Sequence, residues 1–162
     1  SRDSQSAAEI NGRGVFTGLV VEALYGGASN LLGQTTVADL FAFVDRHLGP
    51  WDQRPLFKCH VSKLLSLRQS NPRIDVSVLR QLPSIFPSPD YQLALDPGYE
   101  VHGAEADRAR AETLDAVRQY RAAGLVRPLG DSDMYLAALS GGSCVLTQLG
   151  KYYWHLCAAQ RI

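Results

Sequence analysis

At 162 residues, with 46% hydrophobic and 20% charged side chains, the chain has the composition of one ordinary globular domain or two small ones. Sixteen basic and sixteen acidic residues cancel, which excludes a protein drawn to nucleic acid or to an anionic membrane by its overall field. Apolar runs are broken every few residues, short of the roughly 18–20 that span a bilayer, and no signal peptide is recognisable, so a cytoplasmic location and no membrane partner are expected.

In chain order, the first predicted element is a helix over residues 15–24. Val15, Phe16, Leu19, Val20, Ala23 and Leu24 fall on one side of a 3.6-residue period, and Gly26-Gly27 stops it. This pattern predicts a core helix. A second helix starts after Thr36, an N-cap with Asp39 three residues on, and runs through Val37, Leu40, Phe41, Val44 and Leu48 to Gly49-Pro50. His47 falls in its last turn, where a cation suits the helix dipole. Residues 55–62 (PLFKCHVS) alternate Phe57, Cys59 and Val61 against Leu56, Lys58 and His60, which predicts a strand. A short helix after Asp75 turns Val76, Leu79 and Leu82 inward.

Pro83, Pro87, Pro89 and Pro97 mark a boundary. Beyond it, residues 104–123 predict a helix ending at Gly124, "LVRPL" an extended segment and "SCVL" a strand, while "MYLAAL" is ambiguous. Thr147 then caps a final helix that presents Leu149, Tyr152, Tyr153, Leu156 and Cys157 on one face. The predicted organisation is a first domain over residues 1–87, a Pro-rich linker over 88–100 and a second domain over 101–162.

No complete active site is legible in these residues. Cys59, Cys144 and Cys157 are odd in number and sit in apolar contexts, which predicts reduced, buried thiols rather than disulfides. Cys59 and His60 are neighbours on the predicted strand and point to opposite faces. His155 and Cys157 are two apart on a helix and diverge by roughly 200°. Neither pair makes a nucleophile with its base or a zinc site. "GRG" and "SGG" lack the strand, helix and lysine of a phosphate-binding loop. No metal and no cofactor are expected.

The run "SRDSQSAAEINGRGVFTGLVVEAL", the capped helix that follows and "DQRPLFKCHVSKLL" together resemble the small-subunit half of a caspase-fold cysteine peptidase of the caspase, metacaspase and paracaspase clan. "GVFTGLVVEAL" is similar to the helix after the active-site loops of that family, and "QRPLFKCHVSK" to the last strand of its sheet. The resemblance covers roughly residues 1–87. It implies an α/β fold class: a small-subunit half of a caspase-like fold, followed by a small α+β winged-helix-like domain like those on some bacterial caspase-like effectors.

The same resemblance implies that the catalytic His and Cys lie in a large subunit, so no residue of this chain is catalytic. The chain would complete a site only with that partner. Ser1-Arg2-Asp3 stands where animal caspases carry the Arg that binds a substrate Asp. Asp3 reverses that charge, which implies a peptide or protein substrate with Arg or Lys before the scissile bond. Ser1 and Gln5, with Glu9, are further candidates for the same groove. The implied setting is bacterial stress or antiviral defence, with an upstream activator as a possible further partner.

Two rival readings accompany this one: a catalytically inert caspase-fold scaffold that recruits partners, and a winged-helix regulator acting on nucleic acid. Charge weighs against the second, because residues 88–162 carry seven Lys/Arg against nine Asp/Glu and phosphate binding needs a basic footprint. Arg108, Arg110, Arg118 and Arg121 alternate with Glu105, Asp107, Glu112 and Asp115, the pattern of a solvated helix face. No nucleic-acid partner is expected.

Overall fold

A computed structural model describes residues 9–10, 13–49, 56–95, 108–130 and 141–162. The chain is mixed α/β and divides into two compact units, Ser1–Arg73 and Ile74–Ile162. The division falls ahead of the Pro-rich stretch.

The first unit opens with a two-residue hairpin, β1 (Glu9–Ile10) against β2 (Arg13–Gly14), paired Glu9↔Gly14 and Ile10↔Arg13. Helix α1 (Val15–Glu22) follows directly and widens into a π-helical turn, Ala23–Gly27, in which Gly26 takes φ 117°. The predicted stop at Gly26-Gly27 is therefore a π turn. The loop that follows is organised by Asn30, whose Oδ1 accepts from the backbone N–H groups of Leu32 and Gln34, both at 3.0 Å. Gly33 must be glycine there: its φ is 80°, and a Cβ would lie 2.2 Å from the carbonyl oxygen of Ser70.

Strand β3 (Gln34–Thr36) pairs antiparallel with β4 (Ser66–Gln69), and the register slips between Thr35, opposite Arg68, and Thr36, opposite Ser66. Helix α2 (Val37–His47) starts on a complete capping box. Thr36 Oγ1 accepts from the Asp39 N–H at 3.2 Å, and the Asp39 carboxylate accepts from the Thr36 N–H at 2.9 Å. The Thr36–Asp39 pairing expected from the sequence is thus present, as is His47 in the last turn, its Nδ1 2.7 Å from the Phe43 carbonyl oxygen. The buried apolar set of this unit is small: Ala23, Leu31, Val44 and Leu48 among the described residues.

The strand expected over residues 55–62 does not form a ladder. Residues 56–65 are irregular and the strand lies later, at Ser66–Gln69. Alternation selects an extended conformation, but a strand also needs a neighbour to take its backbone hydrogen bonds, and among the described residues β3 meets β4 only.

The second unit begins with two one-turn helices, α3 (Val76–Leu79) and α4 (Leu82–Ile85). Asp75 caps α3 by accepting from the Ser77 hydroxyl at 2.6 Å and the Ser77 N–H at 2.7 Å. Those bonds, the hydroxyl first, hold its carboxyl below the ordinary carboxylate range. Then come β5 (Gln92–Ala94), α5 (Arg108–Ala122), β6 (Val126–Leu129), β7 (Ser143–Leu146) and α6 (Gln148–Ala158). The three strands form an antiparallel sheet in the order β5-β7-β6, with Leu93 opposite Cys144 and Val126 opposite Leu146.

The core of this unit is substantial: Tyr120, Phe86, Leu79, Leu82, Leu95, Leu114, Leu125 and Val117 are all but fully buried. Short helices leave few of their last carbonyls fully bonded, and here longer helices supply donors. Tyr120 on α5 donates its hydroxyl at 2.6 Å to the Val78 carbonyl, which also accepts the Gln81 N–H at 3.0 Å. From α6, Trp154 Nε1 donates to the Phe86 carbonyl at 2.7 Å and the Cys157 thiol to the Leu79 carbonyl at 3.3 Å. Burial pushes the Tyr120 phenol well above its ordinary range.

The inward face of α6 is the expected one in part: Tyr153 is buried, Cys157 turns to the Leu79 carbonyl and Leu156 is half-buried, whereas Leu149 and Tyr152 are exposed and Gly150 takes a buried place instead. Gly150 lets α6 come close to the chain at Leu125, where a Cβ would lie 2.0 Å from the carbonyl oxygen. No helix among the described residues is long and apolar enough to cross a membrane.

Candidate interaction surface

Among the described residues, the Cys and His side chains do not gather into a site. Ser1, Asp3 and Gln5, expected at a substrate groove, lie outside the described residues, as does the side chain of Glu9. Cys59 is exposed rather than buried, since of residues 56–61 only Phe57, stacked on Phe41 of α2, is half-buried. His60 beside it is exposed too. His155 is exposed, while Cys157 turns to the Leu79 carbonyl, so the expected divergence of that pair holds. Among the described residues no group of three His, Cys, Asp or Glu side chains could hold a metal ion.

Cys144 sits in the central strand of the second unit's sheet, fully buried, and burial pushes its thiol up to about 12. At neutral pH it carries almost no thiolate. Iodoacetamide applied to the folded chain at pH 7.5 is expected to modify Cys59 first and leave Cys144 untouched, which peptide mass spectrometry will read. Equal labelling of the two would refute the buried environment.

What the first unit does present is apolar surface without cover. Helix α1 reads VFTGLVVE and none of its residues is buried. A helix apolar on nearly every side is expected inside a protein, and the sequence places it in a core; in this chain Phe16 is 45% and Val21 37% exposed. The core that the sequence implies must be completed by surface that the described residues do not supply.

The second exposed tract is residues 56–69, where Leu56, Val61, Leu64, Leu65 and Leu67 are all exposed, Leu56 at 83% and Leu65 at 77%. Two contacts tie it to the helical layer. Phe57 stacks on Phe41 of α2 with ring centroids 5.0 Å apart, and Arg68 lies over the ring of Tyr25 in the π turn, 5.5 Å from its centroid. Leu67, which the slipped register leaves without a partner on β3, is 53% exposed. Among the described residues β4 also offers an unpaired edge.

The second unit contrasts with this. All the remaining buried apolar side chains lie at or beyond Ile74, and its exposed large apolar residues are only Tyr91, Leu149 and Tyr152 among those described. Large exposed apolar patches are candidate interaction surfaces.

The consecutive aromatics of α6 divide as the helical period requires. Tyr153 is buried, Trp154 is half-buried and bonded to Phe86, and Tyr152 is exposed with its ring edge-on to Tyr153 at 5.6 Å. They do not form a stacking platform. The outer face of α5 mixes exposed Arg110 and Arg118 with exposed Glu112 and Asp115, so it presents no basic stripe.

No known protein family, no curated protein and no solved structure matches this chain.

Proposed function

We propose that the first unit is the small-subunit portion of a caspase-like cysteine endopeptidase, and that the second is a winged-helix-like regulatory domain attached to it. One observation carries the first part of this reading: α1 and the 56–69 tract expose the apolar surface that a larger sheet would cover. A caspase-like large subunit is such a sheet, and the residues that resemble the family, "GVFTGLVVEAL" and "QRPLFKCHVSK", include much of what is bare. In the assembled enzyme a large-subunit Cys attacks the scissile carbonyl and a large-subunit His handles the proton. This chain contributes part of the sheet and, through Asp3 with Ser1 and Gln5, an acidic wall for an Arg or Lys side chain.

The winged-helix reading of the second unit is supported by its order of elements. Helices, β5, helix α5, β6 and β7 follow one another, and β7 inserts between β5 and β6 in an antiparallel sheet. Because the described outer face of α5 mixes Arg110 and Arg118 with Glu112 and Asp115, this domain serves contacts with protein, such as an upstream activator, rather than with nucleic acid.

The test is to produce the chain together with its catalytic partner and add chloromethyl-ketone peptides ending in Arg, Lys or Asp. Labelling of a partner cysteine by the Arg and Lys probes is expected. Asp3→Ala should raise KM for basic substrates by on the order of 100-fold, the value of a lost charge-assisted contact, with kcat little changed. Preferential labelling by the Asp probe would overturn the specificity, and a partner that no probe labels would leave an inert scaffold.

A further inference from the structure

Two side chains of the first unit carry hydroxyls that are closed off from solvent and bonded to no described group: Thr35, itself fully buried, and Ser70. An unanswered buried hydroxyl opposes folding, and in native proteins such a group is commonly met by an internal water. The pairing of β3 with β4 puts these two on one side of the ladder. Thr35 stands opposite Arg68 and Gln34 opposite Gln69, and the Ser70 N–H donates to the Gly33 carbonyl at 2.7 Å, one step further along. Residues opposed in an antiparallel pair project to the same side, as do alternate residues of one strand. Thr35, Arg68 and Ser70 therefore share a side, and Gly33 places no side chain between Thr35 and Ser70.

That side meets the π turn. Arg68 lies over Tyr25, and Ser70 Cβ and Oγ both lie 3.7 Å from the point where a Cβ on Gly26 would stand. Ser29 Oγ lies 4.0 Å from the same point and donates to the Gly26 carbonyl at 2.8 Å, which leaves its lone pairs to accept. Diagonal neighbours across a ladder stand about 7 Å apart. The Thr35 and Ser70 hydroxyls therefore do not reach each other, while one molecule making a bond of about 2.8 Å to each spans the gap. None of these groups is a carboxylate, and Arg68 adds a positive charge on the same side, so the chemistry suits a small neutral molecule that both donates and accepts, and not a metal ion.

We propose that Thr35 Oγ1 and Ser70 Oγ hold one internal water beneath the π turn, with Ser29 Oγ as its third partner. A buried water typically makes about three hydrogen bonds, and these three hydroxyls supply them. The water fastens the turn that carries Tyr25 to both strands of the ladder, so the C-terminal end of α1 is seated on the β3–β4 pair. This assignment does not depend on the peptidase reading.

A high-resolution crystal structure of the full chain is expected to show one water within hydrogen-bond distance of both hydroxyls. No water there, or two hydroxyls bonded directly to each other, would overturn the proposal. Thr35→Val keeps the shape of the side chain and removes only the hydroxyl. In the full chain it is expected to lower the protection of the β3 and β4 amides against hydrogen exchange by about tenfold, because the water loses a partner, and to leave α5 unchanged. Raised protection would show that the hydroxyl had no partner to lose. Ser70→Ala should act in the same direction, and the two substitutions together should cost clearly less than the product of their separate effects, because both remove one shared water. Effects that multiply in full would mean that the two hydroxyls act apart, and the bridge would be refuted.

Discussion

Gly150→Ala is expected to lower the unfolding midpoint of the second unit by roughly 10–20 °C, the equivalent of about 3 kcal/mol in a domain of this size. A Cβ on Gly150 would sit 2.0 Å from the Leu125 carbonyl oxygen and 2.9 Å from its carbon. Those are backbone atoms, so no side chain can swing aside. The same oxygen accepts the Thr147 N–H at 2.8 Å and the Thr147 hydroxyl at 3.2 Å, and that hydroxyl in turn caps α6 by accepting the Gly150 N–H at 3.0 Å. Pushing Leu125 away therefore loosens the start of α6 as well as the strand that leads into β6. Calorimetry of the full chain will measure this, and a midpoint within 3 °C of the native chain would show that α6 can slide off Leu125 at little cost.

For the peptidase proposed above, Val21→Lys is expected to weaken assembly with its large subunit by on the order of 100-fold or more, because it places a cation on the exposed apolar surface of α1. Lysine is a good helix former and Val21 is 37% exposed near the end of α1, so the substitution leaves the secondary-structure content of the isolated chain unchanged by circular dichroism. The basic side chain also favours the C-terminal end of a helix. Sedimentation of native and variant chains with the partner separates the outcomes: unchanged affinity would mean that α1 does not face the partner.

Local chemistry made much of the fold legible in the sequence. Thr36 with Asp39, Asp75, Gly124 and Thr147 mark helix ends in the structure because capping depends on residues within a turn of one another. Long-range pairing was not legible. Nothing near "SCVL" says that β7 lies between β5 and β6, or that Tyr120, Trp154 and Cys157 converge on the carbonyls of α3 and α4. Helix α1 shows the limit most clearly. Its apolar character says that it will be buried, but periodicity cannot say whether the burying surface belongs to the same compact unit. Residues 56–62 pose the same problem in strand form, since their alternation specifies a pleat but supplies no neighbour. Of the candidate site, the apolar tracts could be read directly, though as core, while the groove residues Ser1, Asp3 and Gln5 rest on resemblance alone.

Thr36 occupies two roles that most folds assign to different residues. It is the last rung of β3, opposite Ser66, and the cap of α2. The slipped register at Thr35 turns its hydroxyl out of the ladder and onto the first turn of the helix. Strand and helix therefore share a single joint with no slack between them. Losing the Thr36 side chain would act on both elements at once, removing the cap of α2 at the very residue that closes the β3–β4 ladder.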